Sequence, residues 1–315
     1  MSLLNTIALI LATISLFLYS LERFGKEIKK IGEERLRNWL GRVTSNRFSG
    51  FLAGLLATAF IQSSSAVTGI IVTFVDSGAI SFAHSLGVVL GANVGTTTTA
   101  WLVSLKIMEV APYIMVGGMI LSFFPRSIHL IGKTIFLFGF ILFSLELINN
   151  ALEPIKNNAI LLRYLGFADN HFMGVLAGII ITALIQSSSV TIGLALLLLS
   201  QGSISSEGSV AVVIGSNLGS TSTAIIASIR MSRAAIRTAV SNFVFNLMGV
   251  ILFFPLINTL ASSGVFNEPL ETVAFSHLIF NVSIGALFLL LLTPISNLML
   301  RLMPDKKIEV HEIIN

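Results

Sequence analysis

Long, nearly uncharged apolar stretches recur from one end of the chain to the other. Leu3–Leu21 and Phe275–Leu292 are two of them, each approaching the roughly 20 residues that cross a bilayer as a helix. The hydrophobicity is continuous within each stretch, which predicts helices and excludes the alternating segments of a β-barrel. Spans are predicted near residues 3–21, 84–105, 110–125, 128–149, 209–229, 238–258 and 273–296. Leu3–Leu21 lacks a basic leader and an A-x-A site, so it reads as a retained span and not as a signal peptide. Two further segments, Phe48–Asp76 and Phe172–Ser200, break the pattern: each is an apolar arm, a Gln-Ser-Ser-Ser core and a second apolar arm. Phe48–Ile61 holds 14 residues, about 21 Å of helix against a hydrocarbon core of roughly 30 Å. Two short arms around a polar break predict a re-entrant helical hairpin with its tip near mid-membrane. Such a tip is tolerated only where it is buried in protein or faces a water-filled cavity.

The polar breaks belong to an internal repeat. An offset of 124 residues carries Gly50–Gly54 onto Gly174–Gly178 and Gln62–Ser65 onto Gln186–Ser189. The same offset carries Gly91–Ala100 onto Gly215–Ala224, and 24 of 51 positions are identical between Gly50–Ala100 and Gly174–Ala224. The matches fall on glycines and polar residues, which membrane helices do not accumulate passively. Residues 1–127 are therefore read as a first repeat, 128–258 as a second, and 259–315 as a final transmembrane helix with a short cytoplasmic tail, all in one transport domain.

Composition agrees: the chain is 54% hydrophobic and 11% charged, with a mean hydropathy of +0.91. A water-facing domain carries about 25% charged residues, so the class is an all-α integral membrane protein. Cysteine is absent, which excludes disulfides, thiolate metal sites and Cys nucleophiles. The distribution of charge adds orientation. Glu22–Arg47 carries eight basic residues, whereas the equivalent Glu146–Met173 carries only Lys156 and Arg163. Opposite bias on equivalent loops predicts inverted repeats, by the rule that basic loops stay inside. An outside amino terminus and a cytoplasmic carboxyl terminus put 16 of the 19 Lys and Arg residues in cytoplasmic segments. The location expected is the inner (plasma) membrane, multi-pass, with lipid as surroundings and no nucleic acid as partner. Glu22–Arg47, with Trp39, predicts an amphipathic interfacial helix.

Each hairpin tip offers a Gln amide and three Ser hydroxyls, with backbone groups freed by the break. Asn93 with Thr96–Thr99, and Asn217 with Ser220–Thr223, follow glycines that permit a second break in each repeat, giving a broken transmembrane helix. Helix N-termini after such breaks suit an anion. Unwound carbonyls with hydroxyl and amide oxygens suit a hard monovalent cation such as sodium. Neither hairpin nor either Asn/Thr segment contains Lys or Arg beyond the flanking Arg47. An oxyanion held there needs co-bound cations, which points to cation-coupled anion symport. Neither motif has His and carboxylate partners suited to a serine hydrolase, and the chain is read as a non-enzyme without cofactor or transition metal.

These residues resemble the type II sodium–phosphate cotransporter family, whose signature is a pair of inverted Gln-Ser-Ser-Ser repeats. The likeness runs from about Phe48 to Ala100 and from Phe172 to Pro255, and is that of a bacterial-type member without a PhoU-like domain. It implies sodium-driven uptake of inorganic phosphate by alternating access. Phosphate would lie between the tips, on Gln62, Ser63, Ser64, Ser65, Gln186, Ser187, Ser188 and Ser189. Sodium would be shared by Gln62, Ser65, Asn93, Thr96, Thr97 and Thr98 and by Gln186, Ser189, Asn217, Ser220, Thr221 and Ser222. A homo-oligomer is compatible with this reading. The family's His before a Phe-Asn pair is kept at His277–Asn281 but is Asn242 ahead of Phe245-Asn246. Animal members that are electrogenic carry an acid ahead of the first hairpin, and none stands here between Glu34 and Asp76. The residues leave open a proton-coupled or other-oxyanion carrier, and a non-transporting phosphate sensor or adaptor. Glu22 and Glu146 read as interfacial or packing residues, Asp76 as a solvated hairpin end, and His277 as an interhelical hydrogen-bonding residue.

Overall fold

The fold is taken from a computed structural model that describes residues 46–104, 110–125, 127–152 and 169–304, and individual positions between Asn5 and Glu27. Those individual positions are all helical, in keeping with a first span at 3–21. Most of Glu22–Arg47, Glu22 included, lies outside the described residues. No strand occurs among the described residues.

The first repeat opens with α1 (Arg47–Ile61), α2 (Ser64–Asp76), α3 (Phe82–Gly95) and α4 (Thr97–Ser104), followed by α5 (Ala111–Ser122). The second repeat follows with α6 (Ser127–Leu152), α7 (His171–Ile185), α8 (Ser188–Ser200) and α9 (Ser206–Ser228). Then come α10 (Arg233–Phe253), a short α11 (Ile257–Ala261), α12 (Pro269–Leu290) and α13 (Leu292–Leu302). Among the described residues, four stretches are long and apolar enough to cross a membrane: Phe82–Ser104, Ser206–Ser228, Arg233–Ala261 and Pro269–Leu290. The chain is thus a multi-pass helical membrane protein.

The sequence repeat is also a repeat of local structure. Asn46 caps α1 by accepting from the Phe48 and Ser49 amides, and Asn170 caps α7 by accepting from those of Phe172 and Met173. Gln62 ends α1 at φ 58° and Gln186 ends α7 at φ 58°, the two non-glycine residues in left-handed conformation among those described. Ser81 and Ser205 then cap α3 and α9 through their hydroxyls. Each short helix carries an i, i+4 apolar stripe on its exposed side: Phe48, Leu52, Leu56 and Phe60 on α1, and Phe172, Leu176, Ile180 and Leu184 on α7. Exposed apolar stripes of this kind suit contact with lipid or with another protein surface.

The opposite side of each short helix is glycine-bearing and meets the long helix backbone to backbone. A Cβ on Gly54 would lie 2.0 Å from the Val88 carbonyl oxygen, and one on Gly91 1.8 Å from that of Phe51. The twins repeat this, with 2.1 Å from Gly178 to Val212 and 2.1 Å from Gly215 to Val175. Gly87, Gly91 and Gly95 meet the carbonyls of Arg47, Phe51 and Leu55 in ascending order, so α1 and α3 run in the same direction.

Three sequence expectations change. The second break is absent from the second repeat, where α9 is continuous through Gly215–Thr223. In the first repeat the interruption is Thr96 alone, with helical dihedrals (φ −62°, ψ −25°) and its amide still bonded to Ala92. The glycines there serve close helix contact and do not unwind the chain. Next, the span expected at 110–125 is a helix of only 12 residues, about 18 Å long. It packs on α6 through Gly118, Gly132 and Gly139. Lastly, the span expected at 273–296 ends at Leu290, and α13 starts anew beyond Leu291. Lys133 on α6 also pairs at 2.7 Å with Glu27, which ties the amino-terminal part of the chain to α6.

Candidate substrate and ion site

The site is built around the two glutamine breaks. A left-handed residue with a side chain costs about 1–2 kcal/mol, and at Gln62 the side chain offsets it. Its Nε2 donates to Thr98 Oγ1 at 3.0 Å and also to the Ala59 carbonyl, while its Oε1 accepts from Thr99 Oγ1 at 2.9 Å. The second repeat joins at the same place. Ser189 Oγ donates to the Gln62 carbonyl at 3.3 Å and lies 3.4 Å from Thr99 Oγ1. Gln62, Thr98, Thr99 and Ser189 therefore form one cluster drawn from both repeats.

The other predicted residues fall around it unevenly. Ser63 caps α2 by accepting from the Ala66 amide at 3.2 Å. Ser64, Ser188 and Ser189 are buried, while Ser65 and Ser187 are half-buried. Ser64 and Ser65 open α2, and Ser188 and Ser189 open α8, where first-turn amides have no intrahelical acceptor. Thr96, Thr97, Thr98, Ser220, Thr221 and Ser222 each donate to a backbone carbonyl one turn back. Each keeps a lone pair for a cation, Thr98 with one of its two already accepting from Gln62 Nε2. Gln186 does not repeat what Gln62 does: it is exposed, and no side-chain bond joins it to Ser222 or Thr223. The Thr223 hydroxyl, equivalent to that of Thr99, is buried without a partner among the described residues.

Several polar residues at the core were not singled out by the repeat. Asn93 Nδ2 donates to Asn242 Oδ1 at 3.0 Å, and Asn246 Nδ2 donates to the same oxygen at 3.0 Å. Asn217 Oδ1 lies 3.3 Å from His277 Nε2, and Asn281 Nδ2 donates to the His277 carbonyl at 3.0 Å. His277 is thus an interhelical hydrogen-bonding residue through Nε2, while its buried Nδ1 has no partner among the described residues. Phe245 and Phe280, which precede the asparagines of α10 and α12, are fully buried. The signal available in sequence was the shared pattern Asn242-x-x-Phe-Asn and His277-x-x-Phe-Asn.

Charge is sparse around these residues. Between Phe48 and Ser104 and between Phe172 and Ser228, the ionisable acids and bases other than His are Asp76 and Glu207. Asp76 is not a merely solvated end. Its carboxylate accepts from the Ser232 amide at 2.6 Å, at the start of α10. Asp169 accepts likewise from the amide and hydroxyl of Ser205, at 2.8 Å and 2.7 Å. No group of three or more His, Asp or Glu side chains suited to a metal ion forms among the described residues.

Comparison with known proteins bears on this arrangement. The profile described as Na+/Pi-cotransporter matches residues 16–150 and 152–262. The chain belongs to the Na+/Pi-cotransporter family. This is a family of transporters and not of enzymes, in accord with a site of hydroxyls, amides and helix ends. Among its relatives, "Uncharacterized protein YqeW" of Bacillus subtilis (strain 168) is 30% identical over 299 residues, covering 92% of this chain and 95% of its own length. "Putative inorganic phosphate export protein YjbB" of Escherichia coli (strain K12) is 28% identical over 282 residues, covering 88% of this chain but 52% of YjbB. "Sodium-dependent phosphate transport protein 2A" of Mus musculus is 32% identical over 101 residues, 31% of this chain and 16% of its own. No solved structure matches the chain.

Proposed function

We propose that this Na+/Pi-cotransporter family member is a sodium-coupled symporter that takes up inorganic phosphate by alternating access. The observation that carries this is the cluster of Gln62, Thr99 and Ser189, in which the breaks of both repeats meet. Phosphate binds between Gln62–Ser65 and Gln186–Ser189, where first-turn amides of α2 and α8 and serine hydroxyls supply donors. Sodium ions take oxygens from these tips and from Asn93, Thr96, Thr97, Thr98, Ser220, Thr221 and Ser222, whereas the Asn217 oxygen lies against His277. With no Lys or Arg in these segments, the cations offset the anion's charge, and neither is favourable there alone.

In this reading the pairs α1–α2 and α7–α8 are re-entrant hairpins of inverted repeats. The two ends of α9 support it. Ser205, before its start, is bonded to Asp169 at the base of the second pair, and Ser232, beyond its end, is bonded to Asp76 at the base of the first. The helix between has 23 residues, about 35 Å. Bases that far apart along one membrane helix suit entry from opposite faces. Arg230, Arg233 and Arg237 cluster at the Asp76 end, which makes that end cytoplasmic.

The test is radiolabelled phosphate uptake into proteoliposomes with and without an inward sodium gradient, for wild type, Ser64→Ala and Ser188→Ala. Sodium-dependent uptake lost in both variants supports the mechanism; sodium-independent uptake or full activity in both contradicts it. A second reading, export, is favoured by the relative named "Putative inorganic phosphate export protein YjbB", which matches 88% of this chain. Phosphate efflux from loaded vesicles, outpacing uptake under the same gradient, would support it.

A further inference from the structure

The asparagines at the heart of the repeats, Asn93 and Asn217, are twins in sequence, yet their side chains are held differently. The difference can be settled atom by atom, because backbone carbonyls only accept hydrogen bonds. Asn246 Nδ2 bonds to the Asn242 carbonyl at 2.9 Å, so it is the nitrogen of that amide. The Asn242 atom it also meets is therefore oxygen, and Asn93 must face that oxygen with its own nitrogen. The Asn93 Oδ1 is left accepting no hydrogen bond among the described residues. Asn217 is oriented the opposite way. Its nitrogen is committed to the Val213 carbonyl at 2.9 Å, so its oxygen faces His277, whose Nε2 carries the proton.

We propose that Asn242 and His277 are positioning residues that make the two repeats unequal toward the coupling cation. Asn242 turns Asn93 so that Oδ1 is a cation donor. His277 occupies Asn217 Oδ1 and withholds it. The idea rests on the sodium-coupled reading above and narrows it: of the paired asparagines, only Asn93 supplies an oxygen to sodium in the conformation described here. The chemistry fits, since an amide oxygen is a hard, neutral donor. It also follows from the chain's own pattern, in which Asn242 and His277 hold the same place in the two x-x-x-Phe-Asn sequences.

The experiment is sodium activation of phosphate uptake in proteoliposomes, with half-saturating sodium and half-saturating phosphate both measured. Asn93→Ala and Asn242→Ala are expected to raise half-saturating sodium about tenfold while moving half-saturating phosphate less than about twofold. Asn217→Ala is expected to move sodium less than about threefold. Asn242→Asp, which retains an oxygen facing Asn93, restores sodium activation to the wild-type range; a loss of packing alone would not split sodium from phosphate in this way. Protein that melts too early for uptake assays is read instead by the shift of its melting temperature with sodium against choline, with the same ranking expected. Equal sodium shifts for Asn93→Ala and Asn217→Ala overturn the assignment while leaving sodium coupling in place. Wild-type uptake indifferent to sodium overturns both.

Discussion

Ser189 donates a hydrogen bond to the backbone carbonyl of Gln62 although the two residues lie 127 positions apart. Each belongs to a Gln-Ser-Ser-Ser motif, and each follows or forms a helix break. The contact joins a helix-ending carbonyl of one repeat to a helix-starting hydroxyl of the other. Thr99 sits beside both partners, donating to the Gln62 side chain at 2.9 Å and lying 3.4 Å from the Ser189 hydroxyl.

Thr99 is therefore the residue whose loss separates the repeats most directly. Thr99→Val keeps the shape and removes the hydroxyl, leaving the Gln62 oxygen without its donor. Phosphate uptake in proteoliposomes is expected to fall about tenfold, the rate equivalent of about one hydrogen bond. Thr99→Ser is expected to stay within about twofold of wild type.

The two glutamines should respond differently to glycine, which accepts φ 58° without strain. Gln186→Gly removes no side-chain hydrogen bond seen here, so the melting temperature in detergent is expected to hold or rise slightly. Gln62→Gly forfeits the bonds to Thr98 and Thr99 and is expected to lose about 1–2 kcal/mol despite the backbone relief. Equal melting temperatures for the two variants would contradict this asymmetry.

Glycines in the helix contacts should be far less tolerant than glycines elsewhere. Gly91→Ala puts a methyl group 1.8 Å from the Phe51 carbonyl oxygen, and backbone has to move. About 3 kcal/mol of destabilisation, or no folded protein, is expected. Gly69→Ala meets nothing within 4 Å and is expected to stabilise α2 by about 0.5–1 kcal/mol through helix propensity. Thermal unfolding of both variants in the same detergent checks the contrast.

Asp76 tests the link between the first repeat and α10. Asp76→Ala removes the acceptor for the Ser232 amide and is expected to cost about 1 kcal/mol, as for a lost helix cap. Asp76→Asn keeps an oxygen in place and is expected to recover most of that. Hydrogen exchange at the start of α10 is the local readout.

Much of this was legible from sequence because a repeat marks positions where side-chain chemistry matters twice. The Gln breaks, the Asn and Ser caps and the short apolar arms all follow from local rules. The glycines misled where one residue serves two ends: Gly91, Gly95, Gly215 and Gly219 permit unwinding, but here they admit a neighbouring backbone, and α9 stays continuous. Asn242 and His277 were harder to find as partners because they meet Asn93 and Asn217 only through tertiary packing, from helices outside the matched repeat segments. The unequal use of Gln62 and Gln186 is invisible in identical motifs. It depends on which repeat has its Thr pair within reach of the glutamine.

Coupling is reciprocal if sodium and phosphate share one site and cross together. Proteoliposomes with equal sodium on both sides and an inward phosphate gradient should therefore accumulate radiolabelled sodium, and Thr99→Val should weaken both fluxes in proportion. Phosphate entry with no accompanying sodium movement would contradict the account.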